Sequence, residues 1–443
     1  MPVLRFPEGF TWGAATASYQ IEGSPLADGA GPSIWHTFAH TPGVIAGGDN
    51  GDVACDHYHR WAEDVALMRE LGLGAYRFSV AWPRVFPKGS GAVNAAGLAF
   101  YDRLVDALLE ADIEPMVTLY HWDLPQALED EGGWASPHIV DRYLEYADTM
   151  FQALGDRVKS WITFNEPWVF LWVGHVLGVH APGRNDMAAA LLGGHHVLRA
   201  HSAAVELFRR LVPDGKIGIT VSVQAHVPES DDPLDAAAAA RARAFHNEWF
   251  IDPLVLGDYP PALREQFGAM LPEVGDDDRR LFANRGDFVG VNYYTRTIHR
   301  HDDSAFLGAA TCRAIGHYTA MDWEIYPAGL HLVLREFHER YGLPIYVTEN
   351  GAGFEDERVE ADGVVHDVDR LRYIQSHLEM CQRAIADGVD LRGYLVWSLM
   401  DNFEWAFGNA KRFGIVRCDF ETQRRTPKLS ALWYRKVISE NGI

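Results

Sequence analysis

Two glutamates stand at the ends of apolar, strand-like runs. One closes Trp161-Ile162-Thr163-Phe164-Asn165-Glu166-Pro167, and the other closes Pro344-Ile345-Tyr346-Val347-Thr348-Glu349-Asn350-Gly351. Each run is rich in β-branched and aromatic residues and stops at Pro or Gly, as a buried strand does when it delivers a side chain to a cleft. Two carboxyl groups presented this way suit cleavage of a glycosidic bond. One serves as acid and then base, and the other serves as nucleophile.

Parallel strands must carry such groups to one place. Apolar runs at about 10–16, 74–80, 114–120, 159–165, 216–222, 287–293, 344–349 and 392–398 alternate with longer amphipathic stretches. Helices are expected over Tyr58–Leu71, Leu98–Ala111, Pro137–Leu154, Ala188–Leu211, Leu330–Tyr341 and Val368–Asp387. Gly72, Gly155 and Gly388 follow three of them as conventional stops. Eight such repeats predict an α/β fold, a single (β/α)8 TIM barrel over residues 1–443, with long βα-loops forming the cleft. The longest insertions fall at about 22–55, 167–187 and 295–325. An open doubly wound sheet is the competing architecture. The chain lacks a Gly-x-Gly-x-x-Gly turn after a strand and lacks a Walker-type loop, which removes support for nucleotide binding.

Strand ends carry the functional pattern. Gln20 follows the first run and Arg77 lies in the second. His121-Trp122 ends the third, Asn165-Glu166 the fourth and Asn292-Tyr293-Tyr294 the sixth. Glu349 ends the seventh and Trp397 the eighth. Polar and aromatic groups at C-terminal strand ends are where barrels place catalysis.

Bulk properties narrow the partners. The 443 residues are 48% hydrophobic and 23% charged, enough apolar content to fill a large core. A formal net charge of −22 argues against nucleic acid and anionic membranes as partners. No apolar stretch approaches the roughly 20 residues of a membrane span. The N-terminus shows no basic segment followed by an apolar run, and Cys55, Cys312, Cys381 and Cys418 form no Cys-x-x-Cys pair. A cytoplasmic protein with reduced thiols is expected. The 14 tryptophans suit core packing, and those beside polar residues also suit stacking on sugar faces.

Metal-like clusters do not hold up as sequence motifs. Asp49-Asn50-Gly51-Asp52 resembles the start of a calcium loop, but the twelfth position is Arg60 rather than Glu. Asp56-His57-Tyr58-His59 and His195-His196 lack the i, i+4 histidine pair of a zinc helix. Asp276-Asp277-Asp278 reads as a solvated loop. No metal and no cofactor is expected.

Longer segments carry a family resemblance. These are Phe6 to Gly23, including Phe10-Thr11-Trp12-Gly13 and Tyr19-Gln20-Ile21-Glu22-Gly23, and Tyr76-Arg77-Phe78-Ser79-Val80-Ala81-Trp82-Pro83-Arg84. They continue with Leu119-Tyr120-His121-Trp122-Asp123-Leu124-Pro125, Asp401-Asn402-Phe403-Glu404-Trp405-Ala406 and Arg412-Phe413-Gly414. In this order the chain resembles family 1 glycoside hydrolases, the β-glucosidase family, over nearly its whole length. The resemblance implies a retaining exo-β-glycosidase that removes terminal β-D-glucosyl residues by a two-glutamate double displacement. β-Galactosides and β-fucosides are implied as further substrates, and cellobiose as a typical short oligosaccharide.

By the same resemblance Glu166 is the general acid/base and Glu349 the nucleophile, supported by Arg77 and Tyr294. Gln20, His121, Trp122, Asn165, Asn292, Tyr294, Trp397, Glu404 and Trp405 bind the glycone. Trp168, Val173, His180 and Trp323 face the aglycone. A charged Glu349 is expected to raise the proton affinity of Glu166, while Arg77 and Tyr294 favour the charged form of Glu349. Two rivals are a 6-phospho-β-glycosidase, which a buried Glu404 carboxylate should repel, and a catalytically silent sugar-binding module, which would lack one glutamate. Asn409 departs from the tyrosine many relatives carry and leaves the local loop packing open. The sequence leaves a homo-oligomer open.

Overall fold

The protein is described from a computed structural model, which defines residues 4–355, 358–361 and 363–443. The main sheet contains, in chain order, β1 (Thr11–Ala15), β2 (Ala75–Ser79), β3 (Glu114–Tyr120), β4 (Ser160–Asn165), β5 (Lys216–Pro228), β6 (Phe288–His301), β7 (Ala309–Cys312), β8 (Ile345–Asn350) and β9 (Leu391–Trp397). Neighbours run β5-β4-β3-β2-β1-β9-β8-β6, and β5 pairs with β6 to close the ring. All eight barrel pairings are parallel. The expected (β/α)8 barrel is therefore present.

Helices pack outside the ring because their apolar residues recur at helical spacing. In the helix Ile139–Leu154, the buried residues are Ile139, Tyr143, Tyr146, Ala147, Met150, Phe151 and Leu154, one face of a 3.6-residue turn. The helix Met187–Leu211 starts where the Asp186 carboxylate accepts the Ala189 N–H at 2.9 Å. Gly72 and Gly388 adopt φ of 70° and 96° after their helices, as the stop rule expects. Gly155 does not: its φ is −69°, and a Cβ there would lie 2.4 Å from the Phe151 carbonyl oxygen and from Val212. Close packing rather than a left-handed turn requires that glycine.

Two strands run past the expected ends. β5 and β6 stay paired beyond the barrel rim to Pro228 and His299, and β7 folds back antiparallel on β6. The expected insertion at 295–325 thus begins as strand rather than loop, and Tyr294 sits inside β6 instead of at its end. Alternating Thr295, Thr297 and His299 lacked the continuous apolar character that marked the barrel part.

Among the described residues, no helix is long and apolar enough to cross a membrane. The four cysteines are free thiols, and Cys55, Cys381 and Cys418 are buried.

Candidate active site

Parallel pairing sends the ends of β3, β4, β6, β8 and β9 to one rim. There a cavity of about 270 Å³ is lined by His121, Trp122, Glu166, Tyr294, Glu349, Trp397, Glu404 and Trp405, together with Trp168, Val173, His180 and Trp323. Every aglycone-side residue expected from the sequence lines this space. Arg77, Asn165, Asn292 and Gln20 are buried as well: the first three hydrogen-bond to one another or to the two glutamates, and Gln20 to Asn402 and Phe403.

The strand ends are irregular where they deliver the glutamates. The pairing register shifts between Ile162 and Asn165 in β4, and between Val347 and Asn350 in β8. Such bulges re-aim side chains. Glu166 has φ 50°, Trp122 has φ 79° and Trp405 has φ 45°, all in the left-handed region that non-glycine residues rarely occupy. The Glu166 N–H donates to the Thr220 carbonyl at 2.8 Å, which holds this turn.

A hydrogen-bonded layer underlies the two carboxyl groups. Arg77 Nη1 donates to Glu349 Oε1 at 2.6 Å, and Tyr294 Oη donates to Glu349 Oε2 at 2.7 Å. Arg77 Nη2 donates to Asn165 Oδ1 at 2.6 Å. Asn292 Nδ2 donates to Asn165 Oδ1 at 3.0 Å and to Glu166 Oε1 at 2.7 Å, while Thr348 Oγ1 donates to Asn292 Oδ1 at 2.7 Å. Asn292, expected only to bind the glycone, thus grips Glu166 directly. Thr348 was missed because a threonine inside an apolar strand looks like ordinary β-sheet composition.

This layer fixes the protonation of His121. The Asn165 amide is oriented by two donors on Oδ1, so its Nδ2 donates to His121 Nε2, 2.9 Å away. Burial, and then Arg77, hold the His121 imidazole well below its ordinary range, so the ring is neutral. Its proton must then sit on Nδ1, a buried atom with no partner among the described residues. One Asn165 N–H also stays open. Gln20 Nε2 donates to Asn402 and to the Phe403 carbonyl, and neither Gln20 Oε1 nor Glu404 Oε2 has a partner among the described residues. Buried donors and acceptors of this mixed kind match hydroxyl groups, which both give and accept hydrogen bonds.

Indoles wall the same space. Trp122 and Trp405 lie 4.5 Å apart between ring centroids, and His121 stacks near Trp397 at 5.8 Å. Trp122 Nε1 donates to the Asn165 carbonyl at 2.8 Å. On the outer side Trp168 lies 4.2 Å from His246, and Trp323 lies 5.3 Å from Tyr294. His246, Met321 and Phe413 also line the cavity. Sequence reasoning missed them, since His246 lies in an aromatic helical stretch far from any strand end. The segment at Asn409 is tied to Asp49, whose Oδ2 accepts the Asn409 N–H at 2.8 Å.

Burial is the first cause of the Glu166 shift, and the Glu349 charge is second; together they raise the Glu166 carboxyl to about 8. The sequence argument had credited the charge alone. Burial also pushes Glu349 upward, but Arg77 and then Tyr294 oppose it there. Glu404 is raised to about 8 by burial and then by Glu349. Its neutral form is therefore favoured, which weakens the expected charge repulsion of a phosphate. A different feature takes its place: among the described residues lining the cavity there is no Lys or Arg.

A test separates burial from charge. In Glu349→Gln the Glu166 carboxyl should titrate lower than in the parent yet stay above the ordinary carboxylate range. Carbon-13 NMR of labelled glutamate reads this directly. A return to the ordinary range would mean that charge, not burial, dominates.

The chain matches the "Glycosyl hydrolase family 1" model over residues 3–443. It belongs to that family. Beta-glucosidase A of Thermotoga maritima is 51% identical over 445 residues, covering 100% of both chains. A solved structure of the T. maritima beta-glucosidase in complex with glucoimidazole superposes with a TM-score of 0.97 at 51% identity, again over 100% of both chains. An aryl-phospho-β-D-glucosidase of Bacillus subtilis is 44% identical, covering 99% of this chain and 98% of its own. As a family member the chain is a glycoside hydrolase built on the family's barrel.

Proposed function

We propose that this family 1 enzyme is an exo-acting, retaining β-glucosidase, and that residues 1–443 act as one catalytic unit. The observation that carries the reading is the unequal setting of two buried carboxyl groups on one cavity. Glu349 is held by a guanidinium and a phenol, while Glu166 has only an amide on its carboxyl and a proton affinity near 8.

In the first step the Glu349 carboxylate attacks the anomeric carbon and the bond to the aglycone oxygen breaks. Glu166 gives its proton to that oxygen, so the aglycone leaves as an alcohol. The glycosyl ester then removes the Glu349 charge that raised Glu166. Glu166, now ionised, takes a proton from water as the water oxygen attacks the anomeric carbon. The ester bond breaks, Glu349 leaves as carboxylate, and the sugar keeps its β configuration.

Gln20, His121, Asn165 and Glu404 would bind the sugar hydroxyls through the open donors and acceptors described above. Trp397 and Trp405 would floor and wall the ring, with Trp122 beside them. Trp168, Val173, His180 and Trp323 would meet the aglycone. β-Galactosides and β-fucosides fit the same reading because the Gln20 and Glu404 oxygens can accept from a hydroxyl of either direction. The named activity of the T. maritima relative supports the glucoside preference. Free thiols support a reducing, cytoplasmic setting.

The 44% identical aryl-phospho-β-D-glucosidase makes a 6-phosphoglycoside the relevant alternative. A phosphate dianion needs cationic or backbone partners. The absence of Lys and Arg from the described lining disfavours it. Initial rates on p-nitrophenyl β-glucoside, β-galactoside, β-fucoside and their 6-phosphates test both readings. Turnover of the unphosphorylated glucoside is expected. Turnover of 6-phosphates alone would overturn the assignment, and no turnover by folded protein would return the silent binding module.

A further inference from the structure

The long connection after β1 holds a side-chain cluster away from the reacting groups. His36 lies on the short helix Ile34–Ala39, and His40 directly follows it. Four residues apart, the two rings share one face, with centroids 4.3 Å apart. Asp52 approaches both. Its Oδ1 is 3.6 Å from His36 Nδ1, and its Oδ2 is 3.1 Å from His40 Nε2. One donor atom from each residue lies within 4.8 Å of the other two.

The two histidine–carboxylate spacings, 3.6 and 3.1 Å, suit a tetrahedral ion. Nitrogen and oxygen donors at about 2.0–2.1 Å from zinc stand roughly 3.4 Å from one another. Two imidazoles and one carboxylate form a borderline donor set, whereas calcium and magnesium favour oxygen alone.

The groups are also held ready. His40 Nδ1 lies 2.7 Å from the His36 carbonyl, which orients the ring so that Nε2 points at Asp52 Oδ2, 3.1 Å away. His36 Nδ1 is buried and has no hydrogen-bond partner among the described residues. The Asp52 N–H donates to Asn50 Oδ1 at 3.0 Å, and its carbonyl accepts the Ser24 N–H at 2.7 Å. Asp49 is turned away, its carboxylate taken by the Asn409 N–H.

We propose that His36, His40 and Asp52 bind one divalent ion of the zinc class, open at a fourth position, and that this ion clips the helix Ile34–Ala39 to the segment preceding Val53. The clip is structural and lies behind the cavity wall. Trp35, next to His36, is buried with its ring 4.5 Å from that of Trp405. The sequence reading did not single out this cluster, because Asp52 is distant in the chain and the loop had to fold to bring it near. The proposal is independent of the catalytic assignment.

The test is calorimetric titration of the metal-stripped full chain with Zn2+ alone, beside His36→Ala, His40→Ala and Asp52→Asn. One equivalent should bind, and each substitution should weaken it at least about tenfold. Zn2+ should also raise the thermal midpoint of the parent and not that of the variants. Co2+ should give the intense visible absorption of a tetrahedral nitrogen–oxygen site. Circular dichroism checks that each variant folds. Absence of saturable uptake by the parent overturns the proposal, and so does wild-type affinity in any of the three variants.

Discussion

Glu349→Gly is expected to lower kcat for β-glucoside hydrolysis by on the order of 10⁵-fold, and azide is expected to restore turnover with an inverted product. The substitution removes the group that must bond to the anomeric carbon. It also leaves a space beside Arg77 and Tyr294, whose donors now lack an acceptor. Arg77 keeps its bonds to Asn165 Oδ1, Thr118 Oγ1 and the Thr348 carbonyl, so its side chain should hold its position. A small anion can therefore enter the space left by the carboxylate and attack from the same side. With Glu166 intact to protonate the leaving group, the product should be the α-glucosyl azide. Absence of azide rescue in folded protein would remove Glu349 from the nucleophile role.

Glu166→Ala should show the complementary pattern. For alkyl β-glucosides, whose leaving oxygen needs a proton, kcat/KM should fall by about 10²–10⁴-fold. For 2,4-dinitrophenyl β-glucoside, whose phenolate leaves unaided, kcat/KM should change little. Its kcat should fall, because no base then activates water, and azide should restore it with a β-glucosyl azide as product. The pH profile carries the same signature. The acid must be protonated, and its carboxyl in the free site is raised to about 8. The parent kcat/KM on alkyl glucosides should thus be lost above that pH, about tenfold per pH unit, and should fall again on the acid side as Glu349 takes up a proton. The alkaline limb assigned to Glu166 should be absent from the variant with the activated substrate. An equal loss on both substrates would contradict the acid assignment.

Much of this was legible in the chain because the barrel imposes a simple grammar. Buried parallel strands read as short apolar runs, and their C-terminal ends face one rim, so Glu166, Glu349, His121 and Trp397 could be gathered without coordinates. Boundaries of β3 and of the helix Val368–Ala386 agree with the sequence reading to within a residue. Legibility failed where periodicity did. The extensions of β5 and β6 alternate polar and apolar residues and looked like loop. Gly155 is required by packing against Phe151 and Val212, which no local signal announces. Thr348 and His246 act through neighbours contributed by distant segments.

The electrostatics were legible only in part. The sequence correctly paired Arg77 and Tyr294 with Glu349, but the weight of burial over charge at Glu166 depends on how much water the folded rim excludes. The same burial that readies Glu166 also favours the neutral form of Glu404, which weakens it as a charged filter. The His36, His40 and Asp52 cluster was not singled out in the sequence, although His36 and His40 stand four residues apart, because its third member arrives through loop geometry.

The central claim is double displacement with retention at the anomeric carbon. Proton NMR of the first sugar released from a β-glucoside, recorded before mutarotation, tests it most directly. The account predicts β-glucose first, with the α anomer growing in only at the mutarotation rate. Release of α-glucose first would mean a single displacement by water and would contradict the assignment of Glu349 as nucleophile.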